Sequence, residues 1–127
     1  MYIYDNPNPV NKRVDDCVIR ALAIIFDEEW LTIYDDLSDL GREMYEPSIS
    51  NNVWSRYLFN NGFSRFTIPD MCPDNCYSIW QFCIDHPDGE YILATGSHVV
   101  AVIDGNYYDT WDSGNEVPIY YFKRKYS

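Results

Sequence analysis

The chain has 127 residues, a length that fits one domain, so we expect a single domain over residues 1–127. Hydrophobic residues make up 46% of the chain and aromatic residues 17%, which is enough apolar surface for a packed core and excludes a largely disordered protein. The 9 Lys and Arg against 20 Asp and Glu give a formal net charge of -11, which opposes nucleic-acid binding because phosphate backbones would be repelled. The basic cluster Lys123-Arg124-Lys125 has no aromatic platform beside it and is typical of a solvated tail.

The first ten residues lack the basic segment and apolar run of a signal peptide, and no apolar stretch approaches the length of a bilayer span. We therefore expect a cytosolic, cytoplasmic protein with no membrane partner. In that compartment cysteines indicate free thiols, metal ligands or a catalytic thiol before they indicate disulfides. The chain has four of them, at Cys17, Cys72, Cys76 and Cys83.

Helical patterning occupies most of the first half of the chain. Asp15 or Asp16 is a candidate N-cap for an apolar helix that is interrupted by Arg20 alone, which indicates a central helix. Ser50 is a candidate N-cap for a later helix. The predicted helices cover residues 17–26, 28–45, 51–60 and 78–85.

Strand patterning, rich in Val, Ile and Tyr, dominates the second half. Predicted strands cover residues 63–68, 90–95, 97–103, 106–111 and 118–123. Asp104-Gly105 lies between two apolar runs and predicts a two-residue hairpin turn, in which both central residues need positive φ. The fold class predicted from these elements is α+β with an antiparallel sheet.

The hairpin turn fixes a register, and the register predicts neighbours. Extended outward from the turn, it places His98, Val100, Asp109 and Trp111 on one face, with Asp109 diagonal to His98. A carboxylate beside a histidine fixes the tautomer of a general base. Asp112 is a rival carboxylate, but its opposite parity predicts that it faces away.

Cys17 is the candidate nucleophile because it opens the apolar helix, where free N–H groups and the helix dipole favour a thiolate and stabilise an oxyanion. Each residue alone has a plainer interpretation. Cys17 could be a core cysteine, His98 a core histidine bonded to Tyr107 or Tyr108, and Asp109 a turn cap. Together, in this order, the three predict a Cys-His-Asp triad.

These segments resemble the papain-like cysteine peptidases. In that superfamily the nucleophile begins a buried central helix, as DCV at residues 16–18 would, and the histidine opens a strand of small and branched residues, as in HVVAV at 98–102. The third member lies on the next strand and is often followed by a Trp, to which DTW at 109–111 is similar. The pattern also looks like small proteins of bacteria and their phages, and Asp replaces Asn in compact relatives such as bacteriocin-leader peptidases.

The resemblance implies a compact papain-like fold in which a central N-terminal helix packs on an antiparallel sheet. It also implies hydrolysis of a peptide or isopeptide bond in a protein or peptide substrate, with no cofactor. Cys17, His98 and Asp109 would be catalytic, Trp111 would shield the His98–Asp109 contact, and Asn11 would supply an oxyanion donor. Related folds perform acyl transfer at the same kind of site, so transfer stays open beside hydrolysis.

Other features of the sequence suggest two alternatives to a catalytic triad, an acidic interaction protein and a zinc site. Small size and a charge of -11 suit a non-catalytic acidic interaction or inhibitor protein that keeps the fold and binds a basic surface. A spacing of C-x3-C-x6-C-x2-H supplies residue types that zinc accepts, although it is not a standard zinc motif. Its members are Cys72, Cys76, Cys83 and His86.

Overall fold

The computed structural model describes residues 1–125, which form an α+β fold of four helices packed on a six-stranded sheet. In chain order the elements are β1 (Tyr2–Tyr4), α1 (Cys17–Phe26), α2 (Trp30–Met44), α3 (Asn51–Asn60), β2 (Phe63–Thr67), α4 (Ile79–Asp85), β3 (Glu90–Ala94), β4 (Val99–Ile103), β5 (Asn106–Asp109) and β6 (Tyr120–Arg124). The predicted α+β class is confirmed. Within the described residues, no helix combines the length and the apolar character that a bilayer crossing requires.

The sheet is mixed, which corrects the prediction of a purely antiparallel one. Its strand order is β1-β5-β4-β3-β6-β2, and all neighbours pair antiparallel except β1 and β5. The parallel pair aligns Tyr2 with Tyr107 and Tyr4 with Asp109. The sequence did not predict β1 because three residues are too few to show a periodicity.

The helix starts follow the capping signals in part. Ser50 and Ser78 precede α3 and α4, and each side chain accepts a hydrogen bond from the backbone N–H three residues later. Asp16 occupies the N-cap position of α1, but its side chain makes no capping hydrogen bond. Its carboxylate is engaged by other side chains, as described below.

The sheet carries a hydrophobic cluster on each face. Successive residues of β4 alternate between them: Ala101 belongs to the cluster of α1, α2 and α3, and Val102 belongs to the cluster of α4. Leu22 of α1 is fully buried in the first cluster. Helix α1 therefore lies in the interior against β4, as its apolar sequence predicts.

The β4–β5 hairpin has the predicted turn and register. Asp104 and Gly105 have φ values of 49° and 78°, and Ile103 is aligned with Asn106. The start of β4 and the end of β5 therefore lie together at the end of the hairpin remote from the turn. The first residue of α1 lies at this same end of the sheet, since Cys17 and His98 line common cavities.

Candidate active site

Cys17 is the first residue of α1 and is half-buried, in contrast to the buried residues that follow it on the helix. Its position leaves the sulfur accessible at the helix end where backbone N–H groups have no partner within the helix. These N–H groups and the helix dipole favour a negative charge at this point.

His98 lies one residue before β4 and makes the central contact of the site. Its Nε2 is 2.6 Å from Oδ2 of Asp109, and its side chain is 11% exposed. The Trp111 ring packs beside the imidazole, with centroids 5.1 Å apart. Because Asp109 engages Nε2, Nδ1 is the ring nitrogen left for the thiol of Cys17.

Asp109, the last residue of β5, is buried and held by donors on both of its oxygens. Oδ2 accepts from the Ser113 hydroxyl at 2.7 Å in addition to the His98 ring. Oδ1 accepts from the Thr110 backbone N–H at 2.8 Å and from Arg20 at 3.4 Å. The carboxylate is therefore fixed in position and cannot turn away from His98.

The electrostatics of the pair favour its charged form. Burial lowers the pKa of His98, but the interactions with Asp109 and Cys17 outweigh it and raise that pKa to about 9. Burial likewise opposes ionisation of Asp109, yet hydrogen bonds from His98 and Ser113 lower its pKa below the usual value. At neutral pH this raised pKa keeps His98 as an imidazolium beside the Asp109 carboxylate.

Arg20 is a site residue whose role the sequence did not predict. Its guanidinium is buried in a salt bridge with Asp16 and lies 3.4 Å from Asp109. Asp16 also accepts a hydrogen bond from Trp30 Nε1 at 2.9 Å. Arg20 thus connects the residue before Cys17 to the carboxylate that holds His98. A lone charge in an apolar helix was the signal, because a buried cation requires an acidic partner.

Val100 does not share a face with His98, contrary to the prediction from the hairpin. His98, Asp109 and Trp111 lie together as predicted, but Val100 packs into the α4 cluster on the other face of the sheet. His98 precedes β4, and the aligned pairs of the hairpin end at Ala101 and Tyr108. The histidine is therefore outside the regular alternation and turns toward α1.

The rival carboxylate and the predicted oxyanion donor lie elsewhere. Asp112 is exposed and accepts hydrogen bonds from the Tyr107 hydroxyl and the Gly114 backbone N–H, so it is engaged away from His98. Asn11 is exposed with a positive φ of 53°, and neither cavity beside Cys17 has it as a lining residue. The structure does not bring Asn11 to the site, because its N–H bonds back to the Asn8 carbonyl in a tight turn.

The four members of the zinc alternative do not lie together in the structure. Cys72 and Cys76 form a disulfide, although the sequence favoured free thiols. Cys83 is buried in the α4 cluster, and His86 stacks on Phe82. Within residues 1–125 no three His, Cys, Asp or Glu residues are grouped to hold a metal ion.

Two cavities adjoin Cys17 and His98. One, of about 160 Å³, reaches toward α3 and includes Val18, Trp54 and Tyr120 among its walls; we call it the α3 cavity. The other, of about 340 Å³, is named the cation cavity. Its walls include Lys12, Arg13, Arg20, Thr110 and Trp111.

Comparison with known proteins gives no matching family model, curated protein or solved structure. A half-buried thiol at a helix N-terminus, beside an imidazolium that a buried carboxylate orients, is an arrangement suited to nucleophilic attack on a carbonyl carbon.

Proposed function

We propose that this protein is a papain-like cysteine peptidase-type hydrolase that cleaves a peptide or isopeptide bond through Cys17, His98 and Asp109. The observation that supports this most is the position of the His98 ring, which pairs with Asp109 at 2.6 Å and lines the same two cavities as Cys17. The order of the three residues along the chain and the central helix begun by Cys17 agree with the papain-like arrangement.

In the proposed reaction, the Cys17 thiolate attacks the carbonyl carbon of the scissile amide and forms a C–S bond. The backbone N–H of Cys17 stabilises the negative oxygen of the tetrahedral intermediate. His98 gives its proton to the leaving amine as the C–N bond breaks, and a thioester remains. Water then attacks the thioester carbon while His98 accepts its proton, the C–S bond breaks, and the acid product leaves.

An amine acceptor in place of water gives acyl transfer by the same steps, so the site serves either reaction. The alternative role, a non-catalytic acidic interaction protein, draws on the net charge of -11. A protein of that kind has no need of an oriented His98 or of an accessible Cys17. The two roles therefore differ in whether the Cys17 thiol depends on His98.

The test is acylation by p-nitrophenyl acetate, with p-nitrophenol release followed by absorbance and the acetyl group located by peptide mass spectrometry. We expect acetylation at Cys17, followed by steady turnover as water removes the acetyl group. Adding a primary amine distinguishes transfer from hydrolysis through the acetylated amine formed. The Cys17→Ala variant should release p-nitrophenol no faster than buffer.

The matched control is Cys83→Ala, because Cys83 is the other free thiol within residues 1–125 and lies in the α4 cluster. It should acylate as the wild type does. The proposal is contradicted if His98→Ala acetylates Cys17 as fast as the wild type, since the thiol would then act without the imidazole. In that event the acidic interaction role is favoured.

A further inference from the structure

The two cavities beside Cys17 differ in charge, and this difference concerns the substrate. Within the described residues, no Lys or Arg lines the α3 cavity, whereas Lys12, Arg13 and Arg20 line the cation cavity. The protein has only 9 Lys and Arg in all. We infer that the cation cavity binds a carboxylate of the substrate, an inference that rests on the proposed function of Cys17.

Lys12 and Arg13 carry the charge available to a ligand. Both are exposed, and no ion pair within residues 1–125 includes either of them. Arg20 is neutralised by Asp16 and Asp109, so it contributes little to an incoming anion. Asp15 lines both cavities and can offset only one of the two positive charges of Lys12 and Arg13.

Hydrogen bonds of the Asn8 side chain hold the loop that carries Lys12 and Arg13. Asn8 is buried, and its Oδ1 accepts hydrogen bonds from the backbone N–H groups of Val10 and Lys12. Its amide in turn donates to Asp16 at 3.4 Å, next to Cys17. The backbone at Lys12 is therefore tied to the start of α1, so its position relative to the sulfur is set by the fold.

The net negative charge of the protein does not cancel the preference of the cation cavity for a carboxylate. At physiological ionic strength, charges beyond about 8 Å are largely screened, whereas an ion pair in direct contact is screened less. A carboxylate placed there gains attraction from Lys12 and Arg13, and a Lys or Arg side chain is repelled. The substrate class is thus an amide with a carboxylate on the side of the scissile bond that enters the cation cavity.

The experiment compares two alkylating reagents that differ in charge, iodoacetate and iodoacetamide. Each forms a thioether at the Cys17 sulfur and releases iodide, and the ratio of the two rate constants cancels the intrinsic reactivity of the thiol. In the double variant Lys12→Gln with Arg13→Gln, we expect the iodoacetate-to-iodoacetamide ratio to fall by about threefold to tenfold, as one or two exposed ion pairs allow.

The matched control is Lys123→Gln with Lys125→Gln, which removes the same charge from exposed positions at the far end of β6. It should leave the ratio unchanged. An unchanged ratio in the cavity variant, or an equal fall in the control, would overturn the inference. Failure of the proposed function appears separately, as an iodoacetamide rate that His98→Ala does not lower, and the ratio still reports carboxylate binding in that case.

A second arm identifies the source of the carboxylate. Iodoacetyl-Gly-Asp-amide carries it on a side chain, iodoacetyl-Gly-Gly carries it at the C-terminus, and iodoacetyl-Gly-Asn-amide is the neutral reference. Whichever acid is recognised should alkylate Cys17 faster than the reference, and the advantage should vanish in the Lys12→Gln, Arg13→Gln variant. If neither acid exceeds the reference in the wild type, the cation cavity does not select carboxylates.

Discussion

The buried guanidinium of Arg20 lies 3.4 Å from the carboxylate of Asp109 while it also pairs with Asp16. Asp109 is the residue that binds His98, and Asp16 is the residue directly before Cys17. Both carboxylates are almost inaccessible to water, and Arg20 is a cationic partner of each: it pairs with Asp16, and it shares Asp109 with His98. The nucleophile and its base are thereby fixed relative to each other through one side chain.

Removing Arg20 should therefore destabilise the fold strongly. Arg20→Leu leaves the buried Asp16 carboxylate without its cation and leaves Asp109 with His98 alone, and loss of one partner of a buried ion pair costs about 3–5 kcal/mol. Urea unfolding followed by circular dichroism measures the free energy of unfolding. The control is Arg42→Leu, which removes an exposed pair with Asp39 and should change stability little. Equal effects of the two substitutions would mean that the Arg20 pairs contribute nothing.

Cys17→Ala should have little effect on stability while it abolishes acylation. The side chain is half-buried at the end of a helix, so its loss costs on the order of 1 kcal/mol or less. Cys83→Ala removes a thiol that is 3% exposed within the α4 cluster, and it should cost more. Thermal melts of both variants give the order. A larger loss at Cys17 than at Cys83 would assign Cys17 to the core.

The choice of Asp109 over Asp112 is tested by paired substitutions. Asp109→Ala removes the group that orients His98, and the acetylation rate of Cys17 should fall by about 10² to 10⁴. Asp112→Ala removes a carboxylate that binds Tyr107 and Gly114, so acetylation should continue at nearly the wild-type rate. The reverse ranking would show that the register at the end of β5 differs in solution.

The raised pKa of His98 predicts a pH dependence of stability. A histidine whose pKa is about 9 in the folded protein and 6.5 in the unfolded chain stabilises the fold fully below pH 6.5. That contribution is lost as the pH rises through about 9. The difference in unfolding free energy between the wild type and His98→Gln should therefore shrink from about pH 6 to about pH 10. A difference that grows over this range would contradict the assigned charge state.

Several elements that position the site were predictable from local sequence signals. The bounds of α1 and α3, and the Asp104-Gly105 turn, follow from apolar periodicity, capping and positive φ, all of which act over a few residues. The turn also brings the start of β4 beside the end of β5, where His98 and Asp109 meet. These features are predictable because neighbours along the chain determine them.

The remaining features depend on residues far apart in the sequence. The pairing of β1 with β5 aligns Tyr4 with Asp109, and no local sequence pattern predicts this pairing. Arg20 reaches Asp109 only after α1 packs on the sheet, and Ser113 meets the same carboxylate through an irregular segment after β5. The prediction of Asn11 as an oxyanion donor used only its distance along the chain from Cys17. In the structure, Asn11 lies in a tight turn in which its N–H binds the Asn8 carbonyl.

His98 is proposed to activate Cys17, and the pH dependence of Cys17 alkylation by iodoacetamide tests this activation. Rates located by peptide mass spectrometry from about pH 5 to about pH 8 should exceed those of free cysteine at the acidic end, where an ordinary thiol is protonated. His98→Ala should lose that advantage. If wild-type Cys17 alkylates like free cysteine across the range, or if His98→Ala keeps the wild-type profile, the account is contradicted.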